Sequence, residues 1–451
     1  MKYLCVLMFF LGVSEAAFAQ QTDSLAIVQA AMDYAEGWYN GDPARMERAI
    51  HPDFNKARSV QSVAKTGITL NYSSYSQLIE GARVKAGYLD ESKRKLSVTV
   101  LEINEDIECT SFCLDNNGYA IFGSNFDYGQ DISEGLIFVN KRNVTKSYWQ
   151  PDSPSNHARW TSKYGSVSFN LVMSQLSWAG MNEAGLVIST MQLDGSKSPE
   201  PDNRPWIYSN YWLQYVLDNF STVDEVIASD SAIRIFEYVD HYLVSDRFGN
   251  CATIEFINGK MVSHTGNNLP VKVLANSSYE NSVDEWRKTM LGKNSGKPVT
   301  INNSSIRRFI GAADRVSTFK TSNSETAVNE AFDILDKVSG QKTNGSPTRW
   351  SIVFDTKNLQ IYFRTIVHNE IRVVDLRKLD FSCKTPVKMI DINEKLSGEI
   401  TSQLKDYSFQ MHFDYAMKAW RKWGVELDSV DLENQIKYIE EFPCKSSPSK
   451  K

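Results

Sequence analysis

The residues best placed to do chemistry lie between positions 109 and 128. Cys109-Thr110 is followed by Asp115-Asn116-Asn117-Gly118 and then by Gly123-Ser124-Asn125-Phe126-Asp127-Tyr128. A thiol is the protein nucleophile that needs least activation, although a lone cysteine is usually buried and inert. The other signals of chemistry are missing. The six histidines, His51, His157, His241, His264, His368 and His412, show no metal-ligand spacing, and there is no Cys-x-x-Cys. Neither a G-x-x-x-x-G-K-[ST] loop nor a G-x-S-x-G elbow occurs, which removes the usual marks of phosphate binding and of the α/β-hydrolase elbow. The sequence therefore implies no cofactor and no metal.

The elements that would position this segment read as β-rich from Ile107. Ile107 to Leu114 is a strand, Asn117-Gly118 tolerates the positive φ of a hairpin turn, and Tyr119 to Gly123 returns. Further strands are predicted at Leu136–Val139, Val167–Val172, Leu186–Leu193, Tyr242–Ser245, Ala252–Phe256 and Met261–His264. Later ones follow at Trp350–Phe354, Leu359–Arg364 and Ile371–Asp375. Helices are predicted at Trp206–Phe220, after a Thr222/Glu225 capping box, and near Ser282–Met290, Ser305–Val316 and Glu325–Val338. Strands early and late with helices between them suggest sheets covered by helices. Upstream, Leu25, Val28, Met32, Ala35 and Tyr39 recur at helical spacing. Asn40-Gly41 ends that helix, and Asp42-Pro43 opens another. Ser74 to Ala86 reads as a third helix and Leu96 to Ile103 as a strand.

Totals bound the rest. The chain has 451 residues, 42% of them hydrophobic and 23% charged, which is ordinary for globular protein and excludes wholesale disorder, collagen and coiled coil. A net charge of -5 argues against nucleic-acid binding. Lys2, the apolar run Tyr3 to Val13 and Ala17-Phe18-Ala19 read as a signal peptide over residues 1–19, with a mature start at Gln20. The run is too short for a stable membrane anchor. The expectation is an exported, soluble protein of the bacterial periplasm or the extracellular space. Removing Cys5 with the signal leaves Cys109, Cys113, Cys251, Cys383 and Cys444, an odd number, so at least one thiol is unpaired. Cys109 and Cys113 cannot bridge along one strand, where four residues span ~13 Å. The tail at 444–451 reads as disordered.

Two resemblances follow from these motifs. Glu36-Gly37-Trp38-Tyr39-Asn40-Gly41-Asp42 and Met46-Glu47-Arg48-Ala49-Ile50-His51-Pro52 resemble the opening of nuclear-transport-factor-2-like domains of the lumazine-binding type, in a partial module over 20–106. The segment from Cys109 resembles the choloylglycine hydrolase family of linear amide C–N hydrolases, which includes bile salt hydrolases and penicillin V acylases. Gly180-Met181-Asn182-Glu183-Ala184-Gly185-Leu186, Val216 to Val226, Val273-Leu274-Ala275-Asn276-Ser277 and Arg308-Phe309-Ile310 match further motifs in the same order.

That second resemblance implies an α+β fold over 107–443, the four-layer αββα N-terminal-nucleophile hydrolase fold. It also implies cleavage of Glu108–Cys109, attack by the Cys109 thiol on an amide carbonyl, and use of the new α-amine as base. The chemistry is economical, since an α-amine has a pKa of ~7.7–8, near the working pH a general base requires. The resemblance gives Asp127 the α-amine, Asn276 substrate positioning and the oxyanion, Gln192 a second oxyanion donor, and Arg308 the role of favouring thiolate. The family usually has Arg where this chain has Ser124, so one cation beside the sulfur is replaced by a hydroxyl. The predicted partner is a small-molecule amide substrate, with no nucleic acid; a homo-oligomer is left open. Two readings remain at this stage: a cysteine amidase, and a catalytically silent small-ligand-binding protein on the same fold. A papain-like peptidase is weaker, because no histidine has a recognisable setting.

Overall fold

The computed structural model describes residues 17–50, 57–63, 67–73, 79–85 except 81, most of 107–437, and Cys444. Residues 1–16 of the predicted signal segment 1–19, the predicted strand Leu96 to Ile103 and the tail Lys445 to Lys451 lie outside the described residues. The chain divides into two units, Met1–Asn104 and Glu105–Lys451, two residues from the predicted boundary.

In the first unit a helix spans Ala17–Asn40, so it begins inside the predicted cleavage motif. Gly41 ends it at φ +66, a conformation that suits glycine. Asp42 then caps the helix Pro43–Ala49 by accepting the Arg45 N–H at 3.1 Å, with Pro43 at its first turn. Met46, Ile50, Ile79 and Ala82 form a small core flanked by Tyr34 and Trp38. Arg45 Nε meets Asp33 at 2.8 Å. An antiparallel pair, Ala57–Val63 with Gly67–Ser73, was not foreseen. Its strands carry few apolar residues, so the alternation that marks a strand is weak there. Of the predicted helix Ser74 to Ala86, the described part is helical at 79–80 and 82–83.

The second unit is built on two large sheets. One has seven strands in the order Val273–Leu274, Ile107–Asp115, Ala120–Tyr128, Thr348–Asp355, Gln360–Thr365, Arg372–Asp375 and Gly398–Glu399. The other has nine: Lys260–Thr265, Cys251–Ile257, His241–Ser245, Val187–Met191, Ser177–Asn182, Ser166–Asn170, Leu136–Asn140, Lys388–Asp391 and Lys405–Asp406. Helices Ser304–Val316 and Ser324–Lys337 pack on the first sheet, and helix Ser209–Asn219 packs on the second. The sheets face each other across a continuous apolar core that includes Phe122, Phe126, Phe169, Met181 and Ile352. The order is helix, sheet, sheet, helix, as expected. A second core of Ile188, Trp212, Leu217, Tyr242 and Phe256 fills the space under helix Ser209–Asn219.

Three local expectations need correction. Trp206–Tyr208 is a short strand parallel to Arg234–Phe236, and the helix begins only at Ser209. The cause is visible in Tyr208, which is extended at φ -62, ψ 141. Helix Phe409–Lys422 was missed, although Phe409, Phe413, Met417 and Trp420 already repeat at helical spacing and pack on the main core. Cys444 is not free tail, because a disulfide joins it to Cys383. Gly180–Leu186 is structural: Asn182 receives the N–H groups of Ala184 and Leu186 and donates to the carbonyls of Leu217 and Phe220. Tyr211, Trp212 and Tyr215 pack in or against the second core.

Strands Ile107–Asp115 and Ala120–Tyr128 pair Cys109 with Phe126, Phe112 with Gly123 and Glu108 with Asp127. The Phe112 ring lies over Gly123 so closely that a Cβ there would come within 2.5 Å of it. Gly123→Ala should therefore destabilise the fold by ~1–3 kcal/mol, the usual cost of overpacking, read as a lower urea midpoint with unchanged slope.

Candidate active site

Alternation along Ile107–Asp115 sorts its side chains onto two faces. Ser111 and Cys113 point into the space between the sheets, where Ser111 Oγ meets Ser189 Oγ at 2.7 Å and Cys113 Sγ lies 3.0 Å from Cys251 Sγ. Cys109 shares that face and is fully buried. Glu108 and Thr110 point the other way, towards helix Ser304–Val316, where Arg308 receives them.

Arg308 is 7% exposed and ties the site together. Its Nη1 donates to the carbonyl of Cys109 and, at 2.9 Å, to Thr110 Oγ1. Its Nη2 donates to Asn276 Oδ1 at 3.1 Å, and its Nε lies 3.4 Å from Glu108 Oε2. Asn276 Oδ1 also accepts the backbone N–H of Cys109 at 2.7 Å. Both groups facing that atom are pure donors, which identifies it as the amide oxygen. The Asn276 Nδ2 donates to the backbone carbonyl of Gln192 at 3.0 Å. Cys109 is thus held at both its N–H and its C=O.

Asp127 sits beside this cluster in full burial. Thr348 Oγ1 donates to its Oδ1 at 2.5 Å and itself accepts the Gly340 N–H at 2.9 Å. Gly340 has to be glycine here, since a Cβ would lie 3.3 Å from the Asp127 carboxyl carbon and 1.9 Å from the Ser346 carbonyl oxygen. Asp127 Oδ2 is buried with no hydrogen-bond partner among the described residues. Burial pushes the Asp127 carboxyl up to about 7, against the pull of Arg308 and the Thr348 hydrogen bond, with Glu108 pushing it further up. Burial also pushes the Cys109 thiol well above its usual range, and the Asp127 charge adds to this; the Arg308 charge works in the opposite direction.

The structure therefore brings together Cys109 and Asp127 from one hairpin, Asn276 and Arg308, three separate stretches of chain. Gln192 reaches the group through its main-chain carbonyl. Ser124 occupies no cation's place beside the sulfur. It accepts from Ser111 Oγ at 3.0 Å and closes a buried hydroxyl ladder with Ser189. Thr348, Gly340 and Glu108's pairing with Arg308 were missed as parts of the site. For Thr348 no local signal exists, because it lies 221 positions from Asp127. Among the described residues no group of His, Cys, Asp and Glu could hold a metal ion.

The model of the linear amide C–N hydrolases, choloylglycine hydrolase family, matches residues 109–389, beginning at Cys109 itself. The chain belongs to this family. It is 28% identical over 330 residues to penicillin V acylase of Pectobacterium atrosepticum, covering 64% of this chain and 86% of that protein. The structure of penicillin V acylase from Agrobacterium tumefaciens superposes with a TM-score of 0.58 at 29% identity, over 66% of this chain and 98% of that one. A conjugated bile acid hydrolase from Clostridium perfringens, at a TM-score of 0.51 and 20% identity over 64% and 98% of the two chains, shares the fold. Family membership makes the chain a hydrolase of linear, non-peptide C–N bonds.

The raised Asp127 has a consequence for stability. Between pH ~4, the ordinary carboxyl value, and about 7 the folded chain holds a proton there that the unfolded chain has released. Asp127 thus costs stability progressively as pH rises through that window. In a Cys109→Ala background, Asp127→Asn should gain stability relative to its parent from pH 4 to pH 7, by ~1.4 kcal/mol for each pH unit of the shift. Urea denaturation at pH 4.5 and 7.5 measures it; an equal gap at the two values would contradict the buried, protonated carboxyl.

Proposed function

We propose that the protein is an exported cysteine amidase that becomes active when its Glu108–Cys109 bond is cut. The observation that carries this reading is the clamp on Cys109, whose N–H and C=O are both held by the Asn276–Arg308 pair. The Cys109 thiol adds to the Glu108 carbonyl, the peptide nitrogen leaves as an α-amine, and water hydrolyses the resulting ester of sulfur. Asp127 Oδ2, a buried acceptor without a partner, suits the newborn ammonium, because such an orphan costs ~1–3 kcal/mol until a donor arrives. The α-amine then takes the thiol proton as Cys109 attacks the substrate amide, and returns it to the leaving amine. Export is supported by the N-terminal apolar segment and by the Cys383–Cys444 disulfide, a bond of oxidising compartments. The first unit is read as a partial nuclear-transport-factor-2-like module.

The substrate class proposed is an amide with an arylacyl or phenoxyacyl group, on two supports. One is the likeness to two penicillin V acylases. The other is aromatic surroundings. Phe126, the cross-strand partner of Cys109, stacks on Trp350 at 4.4 Å and meets Trp178 at 4.7 Å. Trp178 in turn lines a cavity of about 220 Å³ of mixed character, with Leu171, Leu213 and Tyr242 beside Thr190, Asn210 and Asp240.

N-terminal sequencing of the purified protein, with Cys109→Ala as control, tests the reading. A fragment starting at Cys109 that the control lacks, together with release of amine from a phenoxyacetyl amide, supports it. An uncut chain that binds such amides without turnover would favour the silent binding protein. Asn276→Leu should slow turnover by on the order of 10²-fold with little change in KM, because it loosens the nucleophile without removing it.

A further inference from the structure

Cys113 and Cys251 are both buried to within a few per cent, on opposite sheets, with their sulfurs 3.0 Å apart. That is about 1 Å beyond the ~2.05 Å of a formed bond. The approach is not an isolated accident of two rotamers. Ser111 meets Ser189 one step nearer the nucleophile, and the sheet registers carry that contact forward. Ser189 lies two residues from Val187 on its strand, Val187 is level with Ser245, and Ser245 is level with Cys251. Cys113, two residues beyond Ser111, shares its face of the strand, and its sulfur meets that of Cys251 across the same inter-sheet space. The main chain fixes the position on one side, where the Cys113 N–H donates to the Lys272 carbonyl at 2.9 Å.

We infer that Cys113 and Cys251 form a second structural disulfide, which stitches the nucleophile strand to the opposite sheet. The oxidant is a thiol–disulfide exchange partner. Its disulfide takes two electrons and two protons from the two thiols, and is released as two thiols while one S–S bond forms in the protein. The first disulfide, Cys383–Cys444, shows that the chain is built for conditions in which such partners act. Once folded, both sulfurs are sealed from solvent, and burial together with the neighbouring sulfur keeps the Cys251 thiol well above its usual range. The exchange accordingly belongs to folding, as the two strands meet. The functional consequence concerns Cys109. Cys109, Cys113 and Cys251 are the thiols the Cys383–Cys444 bond leaves free. Joining two of them leaves Cys109 as the only thiol among the described residues, with no partner there to mispair with.

The test does not depend on amidase activity. The unfolded protein is refolded in a mixture of oxidised and reduced glutathione. It is then denatured without reductant, alkylated with iodoacetamide, digested and mapped by mass. The expected map shows Cys109 alkylated and Cys113 linked to Cys251, with the Cys383–Cys444 peptide in the same digest as the internal control. Alkylated Cys113 and Cys251 beside an intact Cys383–Cys444 link would overturn the inference, and so would any linkage to Cys109. A Cys113→Ala/Cys251→Ala variant should melt below the oxidised parent, and reductant should lower its transition less than the parent's, since only Cys383–Cys444 is left to reduce. Equal melting of the oxidised parent and the variant would show that the bond does not hold the sheets.

Discussion

A buried guanidinium is the constraint on which the site depends. Placing Arg308 in the interior is costly unless acceptors and a counter-charge meet its planar fork. Here Cys109 O, Thr110 Oγ1 and Asn276 Oδ1 accept from its terminal nitrogens and the Glu108 carboxylate lies beside its charge, and three of these four belong to one strand. Helix Ser304–Val316 delivers Arg308 at a fixed height because Asn303 caps it, accepting the Ile306 N–H at 2.9 Å. The helix cannot slide along the sheet without stranding the charge. Register of the nucleophile strand and position of the helix are thereby one and the same condition.

Much of this was legible beforehand. Cys109, Asp127, Asn276 and Arg308 stand in short motifs whose order survives in sequence, and they do converge. The strands of both sheets were visible wherever apolar alternation was strong. What could not be read is the part of the site that depends on tertiary approach. Thr348 and Gly340 matter through where they lie against Asp127, and nothing in their own neighbourhoods says so. The same holds for Gln192, expected to act through its side-chain amide, whose backbone carbonyl is what orients Asn276. Helix Phe409–Lys422 is a different kind of miss, since its spacing was there to be seen.

Ser124 shows how a departure from a family pattern can be absorbed by the fold. The hydroxyl of Ser124 accepts from Ser111, which also meets Ser189, so the three form one buried ladder between the sheets. A buried hydroxyl with partners is stable and neutral. Among the described residues the cation whose charge bears on the Cys109 thiol is Arg308, held against the main chain of the same residue.

Glu108 gives that arrangement a temporal side. In the intact chain its carboxylate is the counter-ion of Arg308, and its charge helps to keep Asp127 protonated. On the proposed reaction Glu108 departs with the scissile bond, and an ammonium appears at Cys109. The buried site then swaps an anion for a cation within a single event. Arg308 loses its neutralising neighbour, and Asp127 gains a reason to ionise. Under that proposal the uncut chain carries its own electrostatic safety catch, and cutting the peptide would both free the Cys109 amine and rewrite the field around its thiol.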